Sequence, residues 1–133
     1  MKCHRYALVA AALFASFGAI AQSGSITSKI ESLGKMEYLE VTDMRAAIRN
    51  NLLTVQAEIT NKDRSNQRLF YRFKWLDPSG FAVGGEEPWK HLVIYGKQKQ
   101  EIQTVAPTPA ARDFRLQVQS PDNTTHDPVP SNW

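Results

Sequence analysis

Apolar and polar residues alternate strictly from Leu53 to Thr60 and again, with Phe70 as the one exception, from Arg68 to Trp75, and turn-forming residues separate the two runs. A period of two sends alternate side chains to opposite faces, which fits half-buried strands and rules out an amphipathic helix there. In the first run Leu53, Val55, Ala57 and Ile59 share a face; in the second Leu69, Tyr71, Phe73 and Trp75 do. Between them Asn61 to Asn66 carries no apolar residue, and Asp77-Pro78-Ser79-Gly80 closes the second run with proline and glycine where a type I turn accepts them.

Further strand patterns are legible at short intervals. Phe81 to Val83 can restart a strand, Leu92 to Tyr95 is an apolar run stopped by Gly96, and Glu101 to Val105 alternates. After Pro107 and Pro109, Phe114, Leu116 and Val118 alternate with Arg115, Gln117 and Gln119. Residues 43–49 admit either a helical turn capped by Asp43 or a strand leading into a hairpin at Asn50-Asn51, and the strand is favoured. About seven short strands without a long helix predict an all-β fold, an immunoglobulin-like antiparallel β-sandwich, with a small β-barrel as the alternative.

The chain begins with Lys2 and Arg5, continues through an uncharged run from Tyr6 to Ala21, and closes that run on Ala19-Ile20-Ala21. This is the layout of a secretory signal peptide, residues 1–21, cleaved before Gln22, which directs the chain to the periplasm. Sixteen uncharged residues fall short of the roughly 20 that span a bilayer. Cys3 precedes the run and cannot be the lipidated residue of a lipoprotein signal, so no stable membrane anchor is expected. Residues 22–34, rich in serine and glycine, read as a flexible leader to which Ile30 and Leu33 add weak docking. The domain then covers 35–120, and 121–133, with three prolines, reads as a disordered tail.

Processing changes the charge that matters. The full chain carries 16 basic and 13 acidic residues; loss of Lys2 and Arg5 leaves 14 basic, a net of +1. A balanced surface argues against a nucleic-acid partner, because such affinity rests on an excess of cations neutralising phosphates. The only cysteine leaves with the signal, so no disulfide, thiolate metal site or cysteine nucleophile is expected. No nucleophile elbow, phosphate loop or zinc-protease motif is present, His91 is the one histidine outside the termini, and no cofactor is called for. The chain therefore reads as a non-enzyme.

Two places could bind a partner. Interleaving of Arg68, Phe70, Arg72 and Lys74 behind the apolar face suggests either a solvated strand back, with Phe70 covered by an arginine or lysine stem, or a patch of Arg68, Phe70 and Arg72 that receives a partner. In Glu86-Glu87-Pro88-Trp89-Lys90-His91, Trp89 is expected to plug the end of the sandwich, the other reading being an exposed binding tryptophan. Glu86 and Glu87, being adjacent in an extended segment, should point apart.

Asn61, the run Tyr71-Arg72-Phe73-Lys74-Trp75-Leu76-Asp77 with Gly80, Trp89, Ala106-Pro107 and Phe114-Arg115-Leu116 together resemble the YcfL-like family of small bacterial envelope proteins, over about residues 38–119. The resemblance implies a periplasm-facing sandwich with no established activity and no catalytic residues to carry over. Many such relatives are lipoproteins, and some are encoded near an outer-membrane lipoprotein that activates peptidoglycan synthases. The expected role is a binding module for an envelope protein or a peptidoglycan component. Alternatives are a small envelope hydrolase using carboxylates with His91, and a structural protein that associates with itself.

Overall fold

The computed structural model describes residues 25–123. The signal segment, its cleavage point, and the tail from Thr124 onward, including His126, lie outside them. A 3-10 turn at Ile26–Lys29 leads into β1 (Ile30–Ser32), followed by β2 (Leu39–Arg49), β3 (Leu52–Asn61), β4 (Gln67–Leu76), β5 (Lys90–Ile94), β6 (Lys99–Val105) and β7 (Asp113–Gln119), with a short 3-10 turn at Pro121–Asn123. Two sheets form, one in the order β1-β7-β4-β5 and the other β2-β3-β6. This is the expected two-sheet sandwich.

Alternation places the core as the sequence requires. Val55, Ala57 and Ile59 of β3, Leu69, Phe73 and Trp75 of β4, and Leu116 and Val118 of β7 are all buried between the sheets. Phe73 stacks on Trp75 with centroids 5.5 Å apart and planes at 16°, and Phe114 tilts against both at 6.1 and 6.4 Å. Each of these large side chains contributes roughly 1.5–3 kcal/mol by leaving water. Tyr71, expected on the same face, is only half-buried, because it lies where β5 begins. Burial, and then the neighbouring Glu87 carboxylate, hold its phenol above the ordinary range.

Residues 43–49 are strand, paired with β3 as far as Arg49 opposite Leu52. The hairpin turn holds Asn50 and Asn51 at φ 49° and 63°, the positive values of a type I′ turn, which asparagine tolerates better than other residues with a side chain.

Three segments depart from expectation. Residues 81–83 form no strand: a single bridge joins Ala82 to Leu76, and Gly84 and Gly85 at φ 79° and 78° turn the chain away. Part of the leader is ordered, since β1 pairs with β7 in parallel, Ile30 opposite Leu116, an exception in an otherwise antiparallel sheet. Ile30 packs on the core, and Lys29 forms an ion pair with Asp113. At the other end Asp122 holds the 3-10 turn to β4, accepting the Arg68 backbone N–H at 2.9 Å and its guanidinium at 2.9–3.3 Å. These hydrogen bonds lower the Asp122 pKa. In each ordered terminus a long-range ion pair supplies what local composition does not announce.

Candidate binding cleft on the outer face of β4

The site begins with a proline. The β4–β5 ladder runs from Gln67 opposite Ile94 to Tyr71 opposite Lys90. One step further in this register Arg72 meets Trp89, and two steps further Phe73 meets Pro88. Proline has no N–H to give the Phe73 carbonyl, so the ladder stops and the chain leaves the sheet edge.

Glu87 occupies the place the strand vacates. Its carboxylate accepts the Phe73 backbone N–H at 3.2 Å and the Trp75 indole N–H at 2.8 Å. A side chain thus closes an edge that a backbone carbonyl would otherwise satisfy. Further along, the Val83 N–H donates to the Trp75 carbonyl at 3.0 Å. The loop is held off the strand at both ends. A cleft of about 380 Å³ opens between them, floored by β4 from Arg72 to Trp75 and walled by Gly85, Glu86, Glu87 and Gln117.

Arg72, on the cleft floor, packs against Trp89 beside the cleft. The guanidinium carbon lies 4.5 Å from the Trp89 ring centroid, a cation–π contact between the two residues that the interrupted register would have set opposite each other. The Arg72 Nε donates to the Gln117 amide oxygen at 2.6 Å, and the Gln117 amide N–H donates to Glu31 at 2.8 Å. On its other side the guanidinium pairs with Glu86, whose side chain is 78% exposed. Arg72 is thereby positioned by β7, by β1 beyond it, and by the β4–β5 loop. Little rotamer entropy remains to be lost when a ligand arrives.

The four sequence-predicted residues separate into two groups. Arg72 and Trp89 come together at the cleft. Phe70, half-buried on the same face two residues from Arg72, lies with its ring 5.0 Å from that of His91, its cross-strand neighbour, so histidine rather than a cationic stem covers it. Arg68 is exposed but turned to Asp122 and takes no part in the cleft. Trp89 does not plug the sandwich: it is half-buried on the outer face against Arg72. The two glutamates point apart, Glu86 to solvent and Arg72, Glu87 to the sheet edge. Sequence reasoning missed Gln117 and Glu31, and it named Glu87 without its place at the β4 edge. The outward alternation of Gln117 in β7 was visible, but nothing local pairs it with Arg72.

Among the described residues no helix is long and apolar enough to cross a membrane, and no three His, Cys, Asp or Glu side chains gather to hold a metal ion.

Two solved structures share this architecture. The crystal structure of Campylobacter jejuni cj0090 aligns with a TM-score of 0.61 at 22% identity, covering 69% of this chain and 97% of that one, a likeness of fold. A DUF1425 family member from Shewanella sp. pv-4, solved at 1.81 Å, aligns with a TM-score of 0.56 at 30% identity, covering 60% of this chain and 75% of that one. None of the curated proteins compared matches the chain. The family model described as "Protein of unknown function (DUF1425)" matches residues 26–120, spanning both sheets and the cleft, and the chain belongs to that family.

Proposed function

We propose that this protein is a non-catalytic, periplasmic binding module of the YcfL-like type that engages an envelope protein or a cell-wall component through the β4 cleft. The observation that carries the reading is Arg72, a cleft-lining residue immobilised against Trp89. Tryptophan and arginine are the residue types that dominate binding hot spots, and a pre-ordered pair avoids the entropic cost of fixing long side chains on association. The exposed Glu86 gives the guanidinium a partner that a carboxylate or carbonyl of the ligand can replace without leaving a buried charge. The signal-like N-terminus and the resemblance to envelope proteins support this location and this kind of partner.

The test is crosslinking in intact cells from a photoreactive residue at the exposed cleft position 74, followed by identification of what is captured. Trp89→Ala and Arg72→Ala, whose side chains lie outside the core, should keep the fold and weaken capture by about 2 kcal/mol or more, roughly thirtyfold. Folded variants that capture the same species as strongly as the parent protein would refute the assignment.

A further inference from the structure

The other sheet ends in an open strand. Among the described residues β2 pairs with β3 along one edge only, and every residue from Arg45 to Arg49 is exposed. The regular stretch 43–49 is bounded by the bulge at Val41/Asp43 and by the Asn50-Asn51 turn, and it contains no Gly, Pro or Lys that would discourage edge pairing. Register with β3 assigns its faces. Met44, Ala46 and Ile48 lie opposite Ala57, Val55 and Leu53, on the core side, while Asp43, Arg45, Ala47 and Arg49 lie on the outer side. Yet Ile48 is 47% exposed, a core-facing side chain left open among the described residues. Beside it is a hollow of about 360 Å³ lined by Ala46, Ile48, Leu53 and Phe114.

We propose that a second copy of the chain covers this edge, the two β2 strands pairing antiparallel about a twofold axis at Ala46 to make a continuous six-stranded sheet. In an antiparallel pair opposed residues share a face, so symmetric registers are centred on a residue, and the exposed stretch offers Arg45, Ala46 or Ala47 near its middle. Centring on Arg45 sets it against its own twin. Centring on Ala47 sets Arg45 against Arg49. Both oppose like charges directly, which destabilises the pair. Centring on Ala46 sets Asp43 against Arg49 of the second copy twice on the outer face, and Met44 against Ile48 twice on the core side. Within one chain the Asp43 carboxylate accepts the Met44 backbone N–H at 2.9 Å through one oxygen and pairs through the other with Arg45 at 3.1 Å, both side chains being well exposed, so the ion pair is of small worth and yields readily. Such an interface is self-complementary and closes at two copies.

Sedimentation of the purified protein over a wide concentration range reads the outcome. The parent protein should double in mass with rising concentration. Asp43→Arg and Arg49→Asp should each stay monomeric, and the double exchange should restore the doubled mass. These side chains are exposed, and an unchanged circular dichroism spectrum verifies folding. Independently, Ala46→Cys should oxidise to a disulfide-linked dimer and Ala47→Cys should not, because only residue 46 faces its twin, with Cα atoms about 4.5–5.5 Å apart and within disulfide reach. A parent protein that never exceeds monomer mass, single variants that still dimerise, or a double exchange that fails to rescue would each overturn the proposal.

Discussion

The side-chain amide of Asn61, at the end of β3, donates to the carbonyl of Ile94, at the end of β5, across 3.0 Å. The two strands belong to different sheets, so this bond fastens the sandwich at one end. The same amide reaches the carbonyls of Ser65 at 2.8 Å and Tyr95 at 3.2 Å, while its oxygen accepts the Asp63 N–H at 2.9 Å. Asn61 is 1% exposed, and its polar atoms are satisfied.

Asn61→Ala should destabilise the domain by about 1–3 kcal/mol, since it removes the buried amide that ties the carbonyls of Ser65, Ile94 and Tyr95 together and takes the acceptor from the Asp63 N–H. Asn61→Asp should cost more at neutral pH, because a carboxylate cannot donate and would face three carbonyl oxygens. Urea unfolding checks both, and equal stability of parent and Asp variant would remove the clamp from the account.

Gly96 sits under the same loop. A Cβ there would lie 1.9 Å from the Arg64 carbonyl oxygen, which is backbone and cannot rotate away. Gly96→Ala should therefore displace residues 62–66 and loosen the end of the sandwich, seen as faster amide exchange at Asn61 and Lys97. Both of these N–H groups now bond across the two loops, to Gln98 and Asp63 respectively.

Glu87→Ala should expose the stopped edge of β4. The Phe73 N–H and the Trp75 indole N–H would lose their acceptor, at a cost of about 1–3 kcal/mol for groups cut off from water and less where solvent enters the cleft. Glu87→Gln keeps one carbonyl oxygen and should retain part of that stability. The near-ultraviolet dichroism of the Phe73–Trp75 stack, together with thermal unfolding, provides the measurement.

Acid should release the leader first. Burial raises the Asp113 pKa, but hydrogen bonds from Lys29, the Phe114 N–H and Arg115 outweigh it, so the carboxyl titrates below 3.8. A carboxylate with a depressed folded-state pKa stabilises the fold above its unfolded value and loses that contribution as pH falls through the folded one. Between pH 7 and 5 the pairing of β1 with β7 should hold, and below about pH 4 it should weaken. Asp113→Asn should remove this acid dependence, as read by proteolysis near residues 26–32 across pH.

Phe73 and Gln117 show how much could be read in advance. The burial of Phe73 follows from its own neighbours in the chain, because alternation with period two is a local property and one face of β4 is wholly apolar while the other carries Arg68, Arg72 and Lys74 around Phe70. The same logic places β3, β6 and β7, whereas strand at 43–49 is favoured by the hairpin signal of Asn50-Asn51. The place of Gln117 beside Arg72 depended on which strands pair and in what register.

What the sequence determined alone was the all-β class, the inner faces of the long strands and the turn at Asn50-Asn51, since these rest on side-chain period and backbone preference within a few residues. Only tertiary structure decided that β1 joins the sheet in parallel, that Asn61 ties the two sheets together, and that Trp89 lies on Arg72 rather than in the core. Even Pro88, plain in the sequence, gained its meaning from Phe73, because a missing N–H matters only once pairing has placed a carbonyl across from it.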